Sequence, residues 1–224
     1  MLHRAASPGM YIAYFVQSLI LLNVGISVSL GDLFLTLASL AAFSLTLIPS
    51  ILNRNLGMRL PWQLTLLIAL SIYLHVAGHV GELYLLYAPC YDKIAHLVSS
   101  VTLTIIGFAI AIFADQIYRM RLPRGAIVLF AVFFTISMGA VWEIYEFAAD
   151  QIFGMTLQQG NSDTMVDLMV DGIGALVVAV LGDAYLRRVP KEAVAERFLH
   201  PAPEERDTLL PADGSEAPFH AEKN

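Results

Sequence analysis

Residues 91–114 read YDKIAHLVSSVTLTIIGFAIAIFA. From its second residue onwards this stretch is long enough and apolar enough to cross a bilayer as a helix, which needs roughly 20 residues. Its first six residues include an acid, a base and an imidazole: Asp92, Lys93 and His96. Because ionisable groups at membrane depth are costly and mark functional sites by default, the stretch predicts a membrane fold with a site inside it.

The composition of the whole chain is also typical of a membrane protein. Of its 224 residues, 57% are hydrophobic and 14% are charged, and the mean hydropathy is +0.66. A soluble domain of this length carries about 25% charged residues. No segment resembles the basic face of a nucleic-acid-binding protein, so no nucleic-acid partner is expected. The single cysteine, Cys90, excludes an internal disulfide framework and a metal site built from several cysteines.

Apolar runs separated by polar turns predict an all-α, polytopic membrane bundle of about six transmembrane helices. Residues 1–186 form this domain, and its first helix is expected to stay uncleaved, because no small-residue cleavage site follows it. The predicted spans are residues 11–30, 33–52, 62–87, 92–114, 126–149 and 163–186. Residues 187–224 are rich in Pro, Glu and Ala without a sustained apolar period, which predicts a disordered cytoplasmic tail.

The Lys and Arg residues around the spans predict the orientation. When they are assigned to alternate sides of the membrane, all those up to residue 197 fall on one side except Lys93. That side receives Arg4, Arg54, Arg59, Arg119, Arg121, Arg124, Arg187, Arg188, Lys191 and Arg197. Because basic loops are retained in the cytoplasm, both termini are predicted to be cytoplasmic.

The ionisable residues within the spans sort onto the opposite, non-cytoplasmic side. Four spans contribute, and in each the residues repeat at helical spacing, which places them on one face. The sets are His75, His79 and Glu82; Asp92 and His96; Glu143, Glu146 and Asp150; and Asp163, Asp167 and Asp171. Along the sixth span the three aspartates descend roughly 12 Å. The pattern therefore predicts an outward-facing acidic cleft that has depth and is shared by four helices.

The excess of acids over bases in this cleft requires protons, water or a bound cation, since each central charge costs about 3 kcal/mol to insert. Carboxylates combined with imidazole suit Mg, Mn, Fe or Zn, so a divalent metal is the predicted cofactor. The predicted metal ligands are Glu143, Glu146, Asp167, Asp171 and His96. The predicted catalytic residues are Asp92, His96 and Glu143. Further residues of the predicted cleft are His75, His79, Asp163 and Thr164.

Several of these residues also have a purely structural interpretation. The two histidines of the third span suit packing or interfacial positions, and Glu82 and Asp150 suit wet helix ends. Lys93 is expected to be a counter-ion to Asp92 or to extend towards the membrane interface. Ser162 or Asp163 is suited to cap the first turn of the sixth helix.

Five short motifs between about residues 65 and 180 carry a family resemblance. They are Leu74-His75-x-x-Gly78, Tyr91-Asp92-Lys93 with His96, Glu143 with Glu146, Gly160 followed by Asp163-Thr164-x-x-Asp167, and Gly172-x-Gly174. The set resembles the YjdF-type family of uncharacterised bacterial inner-membrane proteins. The resemblance implies a multi-pass protein of the bacterial cytoplasmic membrane, and it implies no reaction. The motif around His96 is also similar, more locally, to VanZ-like membrane proteins.

Three functions are compatible with such a cleft. The first is a metal-dependent membrane enzyme acting at the outer leaflet on a lipid or lipid-linked substrate, with Asp92 orienting His96 as ligand or general base. The second is transport or sensing of cations or protons; the lack of charges in the cytoplasmic halves of the spans counts against a continuous path. The third is a structural protein whose buried charge network fixes the order of the helices.

Overall fold

The computed structural model describes residues 8–56, 58 and 60–199, and within these residues it contains helices and no strand. The helices are α1 (Pro8–Ser29), α2 (Leu33–Thr46), α3 (Ile48–Leu56), α4 (Trp62–Val80), α5 (Leu83–Leu86), α6 (Cys90–Tyr118), α7 (Arg124–Phe153), α8 (Asn161–Leu186) and α9 (Lys191–Leu199). Six segments are long and apolar enough to cross a membrane: α1, α2 with α3, α4, α6, α7 and α8. The prediction of an all-α bundle with six spans is confirmed.

Two of the predicted spans are interrupted. The second divides at Leu47 because Pro49 follows, and proline, which lacks a backbone N–H, is tolerated in the first turn of a helix and not in its interior. The third span ends at Val80, where Gly81 and Glu82 form a turn, with Glu82 at a φ of 54°. The helices α6 and α7 extend about one turn beyond their predicted ends.

The bundle has two chemically distinct ends. At one end the ring of Phe34, near the start of α2, lies 5.3 Å from the ring of Phe153, at the end of α7. At the other end Arg124, at the start of α7, lies 3.9 Å from Asp183, near the end of α8. Of the Lys and Arg residues in the described ranges, Lys93 alone lies at the Phe34 end. We call the Phe34 end the acidic end and the Arg124 end the basic end.

Helix α6 lies at the centre of the bundle and packs against α4, α7, α8 and α9. Small residues allow its neighbours to approach closely, as is common between membrane helices. Gly107 of α6 faces Ala131 of α7, and Gly174 of α8 lies directly against the side chain of Ser100 in α6. The residues at the start of α6 are therefore held at short distance from both α7 and α8.

The chain after α8 differs from the prediction. Helix α9 packs against α6, with Ala195 buried and Val194 against the same apolar cluster. Lys191 Nζ lies 2.6 Å from Asp115 Oδ2 and donates a hydrogen bond to the carbonyl oxygen of Leu122. The prediction of disorder from residue 187 is wrong for α9, because this ion pair and a few apolar contacts order a segment too short to show a period. Residues 200–224 lie outside the described residues.

Candidate functional site

The acidic end contains a cluster of charged side chains shared by α6, α7 and α8. We call the following residues the acidic cluster: Asp92, Lys93, His96, Glu143, Asp163, Asp167 and Asp171. The i, i+4 spacing of the three α8 aspartates places them on the face of that helix that is turned towards α6. The structure therefore brings together residues from three of the four spans predicted to share the cleft.

Lys93 ion-pairs with carboxylates of two helices. Its Nζ lies 3.0 Å from Asp92 Oδ2, 2.6 Å from Asp163 Oδ1 and 2.7 Å from Asp167 Oδ1. The expected pairing with Asp92 is present, and the two contacts with α8 are additional. Asp163 does not cap α8 as its position suggests: the residue at the cap is Gly160, without a side-chain hydrogen bond, and Asp163 pairs with Lys93 instead.

His96 is surrounded by three carboxylates. Its Nδ1 lies 3.3 Å from Asp171 Oδ2, and its Nε2 lies 3.7 Å from both Asp92 Oδ1 and Glu143 Oε1. The imidazole is almost completely buried, at 4% side-chain exposure. Asp171 itself packs directly over Gly139 of α7, where a Cβ atom would overlap its carboxylate. The histidine ring is thus held by one carboxylate on its Nδ1 side and faces two others with Nε2.

Glu143 is a buried carboxylate with one oxygen satisfied and one free. Its Oε2 accepts a hydrogen bond of 2.7 Å from the Thr164 hydroxyl, which in turn accepts one of 2.9 Å from the Gln158 side-chain amide. Its Oε1 is buried and has no hydrogen-bond partner among the described residues. Buried polar atoms are almost always paired, so a free carboxylate oxygen facing an imidazole nitrogen marks a position for a further group.

The loop between α7 and α8 is folded back by Asp150. Its carboxylate accepts hydrogen bonds from the backbone N–H groups of Leu157 and Gln158, at 2.7 and 3.0 Å. Gly154 and Gly160, at the two ends of the loop, have φ values of 67° and 110°, which side-chain-bearing residues rarely adopt. Asp150 therefore acts by holding the loop. The contact of Gln158 with Thr164 depends on this loop conformation, so local sequence spacing does not predict it.

Some donor atoms of the acidic cluster are close enough together to share one metal ion. Asp92, His96 and Asp167 each offer a ligand atom, and these atoms lie within 4.8 Å of one another. Metal–ligand bonds of about 2.0–2.2 Å place two ligands on one ion no more than about 4.4 Å apart. The 3.7 Å separations of His96 Nε2 from Asp92 and from Glu143 fall within that limit. All of these side chains are buried.

His75 reaches the region of the cluster but both its nitrogens have other partners. Its Nδ1 lies 2.8 Å from the Tyr84 hydroxyl, and its Nε2 lies 3.1 Å from the Ser99 hydroxyl. Its ring meets that of His96 edge-on at 5.6 Å and lies 4.4 Å from that of Trp142. Burial raises the pKa of the Tyr84 phenol well above its ordinary value, so the phenol keeps its proton. The sequence gives no signal for these hydroxyl partners.

Three predicted cleft residues in the described part of the chain make no hydrogen bond or ion pair with the acidic cluster. The ring of His79 packs 4.7 Å from that of Tyr84, and its Nε2 is buried without a hydrogen-bond partner among the described residues. Glu146 is buried one turn beyond Glu143, where its Oε1 accepts a 2.9 Å hydrogen bond from the Trp142 indole. Glu82 is exposed. The structural interpretation of Glu82 as a wet helix end fits its position.

Comparison with known proteins places this site in a family. Residues 11–188 match the family described as "Predicted membrane protein (DUF2238)". The chain belongs to this family. The DUF2238 match includes the whole acidic cluster and ends just before α9. The cluster therefore lies within the residues that match the family.

One relative gives a second point of comparison for the DUF2238 match. A protein of Thermotoga maritima described as "Uncharacterized protein" is 29% identical over 134 residues, which cover 58% of this chain and 67% of that protein. No solved structure matches the chain significantly. The family description supports a membrane protein, and neither description names a reaction.

Proposed function

We propose that this protein is a metal-dependent membrane enzyme that acts on a lipid or lipid-linked substrate, with the acidic cluster as its metal centre. The observation that carries the proposal is the free Oε1 of Glu143, which is buried and lies 3.7 Å from His96 Nε2. That distance is long for a hydrogen bond and suits two ligands of one cation. Asp92 Oδ1, also 3.7 Å from Nε2, supplies a third ligand atom.

The charge of the cluster supports a bound cation. Five carboxylates meet Lys93 and His96, so the cluster stays negative even with the imidazole protonated. Leaving such charge buried without compensation costs several kcal/mol. A divalent ion, Mg, Mn, Fe or Zn, supplies two positive charges to an oxygen-rich set with one imidazole. Among the predicted ligands, Asp167 has one oxygen on Lys93 and the other available to the ion.

Each residue has a distinct role in this proposal. Asp171 accepts the Nδ1 hydrogen of His96, which leaves the lone pair of Nε2 pointing to the metal position; such carboxylate–histidine–metal arrangements raise the basicity of the ligand. Thr164 fixes Glu143 through its Oε2. A bound divalent ion would supply Lewis-acid chemistry and would activate water. Whichever of Asp92 and Glu143 is not bound to that ion would act as the general base.

The orientation predicted from the Lys and Arg residues places this centre outside the cytoplasm. In the bacterial inner membrane implied by the YjdF-type resemblance, the basic end lies in the cytoplasm and the acidic end with Lys93 lies on the opposite side. Arg4 and Arg59, which contribute to this assignment, lie outside the described residues. The cluster is then positioned at the outer leaflet, where the head group of a lipid substrate is accessible.

A structural role is the second candidate, and the Lys93 contacts favour it. An ammonium group within 3.0 Å of three carboxylates ties α6 to α8 without any metal. Buried ionic groups of this kind fix the register between helices in some proteins. The two candidates differ in whether the purified protein binds a divalent ion.

Metal analysis of the protein, purified in detergent, distinguishes the metal-dependent enzyme from the structural role. We expect the wild-type protein to bind a divalent ion in a fixed ratio, and Glu143→Gln and the double variant Asp167→Asn, Asp171→Asn to lose it. Glu82→Gln, a carboxylate change at an exposed position of the same end, is the matched control and retains the ion. Far-UV circular dichroism and size-exclusion chromatography establish that each variant is folded. Wild-type protein that stays metal-free after incubation with Mg, Mn, Fe and Zn would refute the metal centre and leave the structural role.

A further inference from the structure

A large apolar cavity opens beside the acidic cluster. It has a volume of about 840 Å³ and lies between α2, α4, α6 and α7. Ligand cavities in proteins typically measure about 300–1,000 Å³. Most of the wall is aliphatic or aromatic, and on α2 the small side chains of Ala38 and Ala42 line it together with larger ones such as Leu45.

The wall of the cavity changes in polarity along its length. At the acidic end it includes His75, His96 and Asp171, so the cavity reaches the cluster itself. Further along α6 the wall is formed by Leu103 and Ile106. From His96 to Ile106 the helix rises about 15 Å. A ligand whose polar group binds at the cluster can thus extend its apolar part directly into the cavity.

We propose that this cavity holds one linear aliphatic chain of a membrane lipid, with the polar end of the lipid at His96 and Asp171. About 15 Å accommodates roughly 12 carbon atoms of an extended chain, since C–C bonds of about 1.5 Å advance about 1.25 Å per carbon. A chain of this kind has no hydrogen-bonding groups, and the hydroxyls of Ser71 and Thr102 in the wall already donate to backbone carbonyls of their own helices. The assignment of this lipid as substrate rests on the function proposed above; its binding does not.

The two tryptophans of the sequence provide a direct assay. Trp142 lines the cavity, whereas Trp62 is at the basic end with its ring against Gly9. In a Trp62→Phe background, Trp142 is the sole tryptophan, and bromine atoms within a bound chain quench its fluorescence. The probes are a phospholipid brominated near the middle of one acyl chain and a fatty acid brominated at the same position, each added to the protein in detergent micelles. The first tests a lipid with a head group and the second the chain alone.

We expect quenching by the phospholipid to saturate at an equimolar ratio. The double variant Ala38→Phe, Ala42→Phe fills the cavity, because residues i and i+4 share a helical face, and it loses the saturable component. Ala184→Phe, the same substitution at an exposed position of α8 outside the cavity wall, retains it. Size-exclusion chromatography and circular dichroism establish that the filled variant is folded.

Quenching that rises only in proportion to the probe in the micelle, or that is the same in the filled variant, would overturn the inference, because it reports contact with surrounding lipid alone. Saturation with the fatty acid and not with the phospholipid would overturn the lipid assignment. The outcome is independent of metal analysis. A metal-binding protein without saturable quenching keeps its metal centre and loses the chain site, and a metal-free protein with saturable quenching keeps the chain site.

Discussion

Replacing Lys93 by methionine removes the positive charge shared by three carboxylates and preserves most of the side-chain volume. At contacts of 2.6–3.0 Å, an effective dielectric constant of about 20 gives roughly 6 kcal/mol for each pair before desolvation. Desolvation offsets most of this, and breaking a buried ion pair costs about 3–5 kcal/mol in measured cases. Because the Lys93 side chain is 20% exposed, we expect a loss near the lower limit, about 3 kcal/mol.

Thermal unfolding in detergent measures this loss. For a chain of about this length, 1 kcal/mol shifts the midpoint by roughly 2–4 °C, so Lys93→Met is expected to unfold about 6–12 °C below the wild type without added metal. Arg124→Met is the control: the 3.9 Å pair of Arg124 with Asp183 involves a side chain that is 49% exposed, and its loss costs at most about 1 kcal/mol. If Lys93→Met and Arg124→Met unfold at the same temperature as the wild type, Lys93 does not balance the charge of the cluster and the reasoning fails.

Two further substitutions test the packing described above. Gly139→Ala places a Cβ atom on the Asp171 carboxylate. It is expected to weaken metal binding in a calorimetric titration and to destabilise the protein by about 1–3 kcal/mol. Gly172→Ala, whose added Cβ atom would meet open space, serves as control, and equal behaviour of the two variants would contradict the contact. Lys191→Met removes the partner of the buried Asp115 carboxylate and is expected to release α9 from the bundle. The release is measured as faster cleavage by trypsin after Arg197. An unchanged cleavage rate would show that apolar contacts alone hold the helix.

The sequence predicted the spans and the end of the bundle at which the acids gather, because both follow from local spacing. A run of about 20 apolar residues has few alternatives to a membrane helix, and i, i+4 spacing fixes a common face whatever the neighbouring helix is. The grouping of Asp92 and His96 with the α8 aspartates could be anticipated for this reason. Whether the face of one helix meets that of another depends on rotation and packing, which spacing does not determine.

The sequence-based predictions that failed did so because they depended on how the helices pack against one another. Asp163 has the position and chemistry of a helix cap, and only the approach of α6 brings Lys93 close enough to bind it. The hydroxyl partners of His75 come from α5 and α6, and nothing near the histidine in sequence indicates them. Helix α9 is ordered through its contacts with α6, including one buried ion pair, although its own sequence has no sustained period.

The loop anchored by Asp150 is connected to a proposed metal ligand by a chain of hydrogen bonds. Two backbone hydrogen bonds hold the loop at Leu157 and Gln158, and the side chain of Gln158 reaches Thr164 beside Glu143. None of the ligand atoms proposed for the metal belongs to this loop. Changes within it are therefore expected to reach the site through the orientation of Glu143, because Gln158, Thr164 and Glu143 form one chain of hydrogen bonds.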